Sequence, residues 1–215
     1  MQSIILPLFL TSVIIFLIIF IKIKYHEFQL CNTNMDNLEK KYLAIIDKNK
    51  SAVSIGFAYL NLATLYIKQE KYKEARVCIN SAKTRKYNKK LSLLLGIQES
   101  TLLIKEQQFD EAEQVIMNCL PNCSSAIDKS LKILLLNNLA IIKLRTNKQN
   151  EAFDILNDLV NRYPNNLISI LNLADLYYEK QDFDKASILY KKVLVKIKDN
   201  DVKTKITEKL KKISA

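Results

Sequence analysis

Three kinds of hydrophobic pattern follow one another along the chain, and each predicts a different element. Residues 4–21 form an unbroken apolar run, IILPLFLTSVIIFLIIFI, in which fifteen of eighteen residues are Ile, Leu, Phe or Val and none is charged. Those fifteen favour membrane insertion by about 4 to 9 kcal/mol, and as a helix the run is about 27 Å long, close to the hydrocarbon thickness of a bilayer. The pattern predicts one transmembrane helix within residues 1–24. A cleaved signal peptide needs basic residues before the run and a small-x-small site after it. Neither is present in Met1-Gln2-Ser3 or Phe20-Ile21-Lys22-Ile23-Lys24. Lys22 and Lys24 follow the run directly, so the positive-inside rule puts the remainder of the chain in the cytoplasm.

The second pattern is a helical stripe. Leu38, Tyr42, Ile45 and Ile46 fall on one side of residues 36–47, predicting a short amphipathic helix after a polar tether, with the pair together spanning 25–50. Val202, Ile206, Leu210 and Ile213 repeat the stripe near the other end and predict a helix over 201–214.

Between these lies the third pattern, a recurring pair of helices. Tyr59-Leu60-Asn61-Leu62-Ala63-x-x-Tyr66 is followed by Tyr72-x-x-Ala75, and Ile97-x-Glu99-Ser100-x-x-Leu103 by Phe109-x-x-Ala112. Leu136-Asn137-Asn138-Leu139-Ala140 is followed by Ala152, and Ile170-Leu171-Asn172-Leu173-Ala174-x-x-Tyr177 by Phe183-x-x-Ala186. The four alanines mark a phase with spacings of 37, 40 and 34 residues. Small residues in first helices (Ala63, Ser100, Ala140, Ala174) and in second helices let the two approach closely. The longer spacings predict inserts around 84–92 and 121–131.

This arrangement resembles the tetratricopeptide repeat, whose unit is a helix–turn–helix of about 34 residues. The resemblance covers residues 51–198, with Pro164 closing the third repeat where the family often has proline. Repeats one and four match best, whereas repeat two departs at Gly96 and Glu99 and repeat three has Gln149 in place of the aromatic. The expected fold is all-α: one transmembrane helix, an α-solenoid of about four such repeats, and a basic capping helix over 199–215 that covers the apolar end of the array.

Composition narrows the chemistry. The chain has 2 Gly, 3 Pro and 1 His. Gly56 and Gly96 stand too far apart for a phosphate-cradling loop, and His26 alone supports neither a nucleophile–histidine pair nor a multi-histidine metal site. Cys119 and Cys123 have no second pair to complete a zinc site, so no metal, cofactor or catalytic residue is expected and the chain reads as a non-enzyme. Of the formal net charge of +11, residues Lys83 to Lys90 supply +5 and residues 191–215 supply +6. These clusters could meet anionic lipid, through Lys83–Lys90 and Lys191–Lys212, whereas nucleic acid is disfavoured because no recognition motif accompanies them.

The resemblance implies a concave surface lined by positions 2, 5, 9, 12 and 13 of each first helix. Here these are Phe57, Leu60, Thr64, Ile67 and Lys68, then Leu94, Ile97, Thr101, Ile104 and Lys105. The third repeat offers Leu134, Asn137, Ile141, Leu144 and Arg145, and the fourth Ile168, Leu171, Asp175, Tyr178 and Glu179. The strip is apolar on one side and basic at position 13 of the first three repeats, which suits a partner peptide or amphipathic helix with an acidic edge. Part of it could instead be core, or be covered by the 36–47 or 201–214 helix. The expected function is a membrane-tethered scaffold or adaptor. The alternatives are an extracytoplasmic repeat protein assisting envelope assembly and, less favoured, a nucleic-acid-associated adaptor.

Overall fold

The computed structural model describes residues 35–48, 51–85, 88–123 and 128–214. The expected transmembrane helix and most of the tether lie outside the described residues. Among those described, no helix is long and apolar enough to cross a membrane. The described residues form ten α-helices and no strand. α1 (Met35–Lys48) belongs to a unit of its own, and none of its residues is fully buried.

Residues 49–215 form one compact unit. It holds α2 (Ala52–Lys68), α3 (Tyr72–Lys83), α4 (Lys89–Lys105), α5 (Phe109–Cys119), α6 (Lys129–Arg145), α7 (Gln149–Arg162), α8 (Leu167–Glu179), α9 (Phe183–Lys196) and α10 (Asn200–Ser214). Every buried hydrophobic residue described falls between Ala58 and Ile206, so the unit carries its own core.

Helices pair in order, α2 with α3, α4 with α5, α6 with α7 and α8 with α9. Three first helices start on a polar cap: Ser51, Asn88 and Asn166 accept from the backbone N–H three residues on, satisfying a donor with no partner inside the helix. The turn inside each pair is the same structure four times. Glu70, Gln107, Asn147 and Gln181 take φ of 60 to 62°, and the following N–H donates five residues back, as Lys71 does to Tyr66 and Asp182 to Tyr177. This C-terminal motif usually recruits glycine, because other residues are strained there by about 1 kcal/mol. None of the four is glycine. The turns recur at the spacings of Ala75, Ala112, Ala152 and Ala186, five residues ahead of each, and all four alanines are completely buried.

Successive first helices pack on one another, α2 on α4, α4 on α6 and α6 on α8. Second helices reach the next repeat through its first helix instead: α3 leans on α4, α5 on α6 and α7 on α8. The closer stacking of first helices bends the array and leaves them on its inner side. α10 then packs on α9 and reaches α8 through Lys209 and Asp175, burying Ile206 in a cluster with Ile170, Ala174, Ala186, Tyr190 and Val193 and packing Val202, Leu210 and Ile213 against that cluster.

The second repeat folds like the others despite its unusual sequence. Gly96 stands where the other first helices carry Tyr59, Leu136 and Ile170. A Cβ there would lie 2.2 Å from Cys119 Sγ, so the Cys119 side chain from α5 fills the space that a large residue occupies elsewhere. Burial, above all, pushes the Cys119 and Cys123 thiols above their usual pKa, which leaves both poor nucleophiles at neutral pH.

Candidate functional site

Stacking divides the expected groove residues into two sets. Position 5 turns toward the next first helix, and it is interior: Leu60 is 3%, Ile97 6% and Asn137 2% exposed. Asn137 donates to Ile133 O (2.8 Å) and Ser169 Oγ (2.9 Å) and accepts from Asn172 Nδ2 (2.8 Å), so its amide is used up joining α6 to α8. Ile67 at position 12 is also buried, while Ile104, Leu144 and Tyr178 at that position are half-buried. Leu60, Ile67, Ile97 and Asn137 therefore serve packing, not an open groove.

Positions 2, 9 and 13 remain accessible. Phe57, Leu94 and Leu134 are half-buried and Ile168 is exposed; Thr64, Thr101, Ile141 and Asp175 are half-buried. Lys68, Lys105, Arg145 and Glu179 are exposed. A position absent from the sequence expectation joins them. Position 6 is Asn61, Gln98, Asn138 and Asn172, an amide in every repeat, exposed in the first and half-buried in the rest. Asn138 Nδ2 donates to Ser100 Oγ (3.1 Å) and Thr101 Oγ1 (3.0 Å) of the preceding repeat, which pins neighbouring first helices together at the floor of the strip. The recurrence of an amide at one register was the signal for this position. It was masked by the Leu-Ala pair that follows it.

The strip thus has four rows across the array: apolar, amide, mostly Thr or Ile, and basic until Glu179. Adjacent first helices lie about 8–10 Å apart, so each row repeats at that interval. Position 2 and position 13 are eleven residues apart, which separates the apolar and basic rows by about 16 Å along the helices.

The fourth repeat is partly covered. Lys209 Nζ on α10 lies 2.7 Å from Asp175 Oδ1, and the buried Tyr190 hydroxyl donates to the same oxygen. Burial and then that bond hold the Tyr190 phenol above its usual pKa. A cavity of about 280 Å3 between α8, α9 and α10 is lined by Leu171, Asp175, Tyr190, Lys205 and Lys209, among others. Leu171, Asp175 and Tyr178 therefore face α10, and the open strip runs chiefly over repeats one to three. Polar links also tie second helices together through the first helix between them: buried Lys143 of α6 meets Glu113 of α5 (2.7 Å) and Glu151 of α7 (3.1 Å). Glu113 leads in raising the ammonium above its ordinary pKa. Among the described residues no group of His, Cys, Asp and Glu could hold a metal ion.

The tetratricopeptide-repeat family models match residues 58–89, 138–166 and 169–203. The chain carries tetratricopeptide repeats. These fall on repeats one, three and four. The crystal structure of BtubC (BKLC) from P. vanneervenii is similar in fold, with a TM-score of 0.61 at 16% identity over 85% of this chain and 84% of that one. YrrB, described as a TPR protein with an unusual peptide-binding site, gives a TM-score of 0.45 at 21% identity over 80% of this chain and 84% of its own. No curated protein matches the chain in sequence. Tetratricopeptide repeats imply a protein–protein interaction scaffold.

Proposed function

We propose that this chain is a membrane-tethered adaptor that binds an amphipathic helix across its first helices. The helix turns its apolar side to Phe57, Leu94 and Leu134, and its acidic edge to Lys68, Lys105 and Arg145. The observation that carries this reading is the pair of rows about 16 Å apart, since a helix with its side chains is about 10–12 Å across and the exposed, flexible Lys68, Lys105 and Arg145 side chains reach over the few ångströms that remain. An extended strand is too narrow to touch both rows at once. The tether rests on the uncharged run at residues 4–21 with Lys22 and Lys24 behind it, which supports a cytoplasmic repeat domain. A reporter fused after Ala215 that works only outside the cytoplasm would overturn this topology.

The groove is tested with synthetic amphipathic helices that share one apolar stripe and differ only in a Glu or a Lys edge. Fluorescence anisotropy with the repeat unit should favour the Glu peptide, and Lys68→Glu, Lys105→Glu and Arg145→Glu together should weaken it at least about ten-fold. Equal binding of the two peptides would sink the reading.

A further inference from the structure

The outer faces of the second helices differ from one another. On α5 the face is Asp110, Glu111, Gln114 and Met117, and on α7 it is Glu151, Asp154 and Asp158 with Arg162. α9 is the opposite. Ile188 and Val195 stand seven residues apart on one line of the helix, 66% and 86% exposed, and no large hydrophobic residue among those described is more exposed than Val195. Lys191 and Lys192 lie between them on either side, and neither has a hydrogen-bond or ion-pair partner among the described residues. Lys185 and Lys196 extend the face, the first paired with Asp182 (2.7 Å) and the second donating to Asn165 (3.0 Å). Asp184 is the acid on this face itself. The patch is therefore an apolar line edged by lysines, about 16 Å long from residue 185 to 196.

Part of the other basic cluster is spent internally. Lys83 pairs with Glu99, and Lys89 Nζ lies 2.7 Å from the buried carboxylate of Asp128. Structure thus separates two clusters that look equivalent by charge.

We propose that the outer face of α9 docks on an anionic lipid bilayer, with Ile188 and Val195 entering the headgroup boundary and Lys191 and Lys192 against the phosphates. An apolar centre within a basic rim is what such a surface rewards, since burial and charge attraction act together. Nucleic acid fits less well. Its phosphates gain nothing from two exposed aliphatic side chains, and the face has no aromatic ring on which a base could stack. The tether proposed above for the apolar run at residues 4–21, on which this choice of occupant rests in part, would bring the same chain to a membrane. This surface lies on the outer helices, so the proposal stands whether or not the groove binds a helix.

The test uses residues 49–215, a compact unit with its own core, and cosedimentation with phosphatidylcholine vesicles made with and without phosphatidylserine. The unit should bind only the anionic vesicles, and added salt should weaken it. Each apposed lysine contributes about five-fold in partitioning, so Lys191→Glu with Lys192→Glu should reduce binding at least ten-fold. Ile188→Ser with Val195→Ser should reduce it about five-fold or more. Arg85→Glu with Lys90→Glu should change it less than about two-fold. All six side chains are exposed, so melting temperatures should stay close to that of the parent unit. Absence of binding, equal binding to neutral vesicles, full retention by Ile188→Ser with Val195→Ser, or tighter association with duplex DNA than with vesicles would each overturn the proposal.

Discussion

The inner strip of the first helices and the outer faces of the second helices are built from the same repeats, yet their chemistry is ordered differently. Along the inner strip, one residue class recurs at each register: apolar at position 2, amide at position 6 and basic at position 13 until Glu179. Outside, charge changes from helix to helix, acidic on α7 and basic on α9. Recurrence across repeats makes a surface that one long ligand can follow, whereas the changing outer faces each suit a local contact. The comparison also shows how thin the boundary of the inner surface is. Ile97 and Gln98 are neighbours in sequence, but one is core between α4 and α6 and the other lines the strip.

The largest test falls on that boundary. Ile97→Ser should destabilise the repeat unit by about 2–5 kcal/mol, because it removes buried apolar volume and leaves a hydroxyl among Leu135, Leu139 and Ile142. Leu94→Ser, one turn away and half-buried, should cost about 1 kcal/mol. Similar losses in urea unfolding would mean that the two registers are not distinct. Next, Asn138→Ala removes the two bonds to Ser100 and Thr101 and should cost about 1 kcal/mol. An unchanged midpoint would leave the amide row without a structural role. A smaller effect has the opposite sign. Gln181→Gly relieves a left-handed backbone and should stabilise the unit by about 0.5–1 kcal/mol net of the added chain entropy. Least of all, Met117→Ser on the outer face should stay within about 0.5 kcal/mol.

Much of the fold was legible because packing constrains a few residues severely. Ala75, Ala112, Ala152 and Ala186 must be small where helices cross, so their spacing carried the repeat phase even through repeat two. The turns were invisible for a related reason: Glu70, Gln107, Asn147 and Gln181 occupy a glycine-favouring conformation without glycine, which removes the usual signal. Gly96 reads as a departure in one dimension because its partner, Cys119, is 23 residues away and lies on another helix. The groove was legible by register only in part. Whether position 5 or position 6 faces outward depends on how neighbouring first helices stack, and a single repeat does not encode that angle. The cover over Leu171 and Asp175 likewise arises from α10, whose stripe announced a helix but not the Lys209–Asp175 link.

Whether a partner lies on the inner strip is decided by photocrosslinking. A photoreactive side chain would replace Gln98 or Asn138 on the inner strip, or Gln114 or Asp154 outside, in separate preparations of the repeat unit. Each would be irradiated with the acidic-edged amphipathic peptide. Adducts are expected at Gln98 and Asn138 that disappear when Leu94→Ser and Leu134→Ser are combined with them, and none above background at Gln114 or Asp154. Adducts concentrated on the outer sites, or inner adducts that survive loss of the apolar row, would contradict this placement.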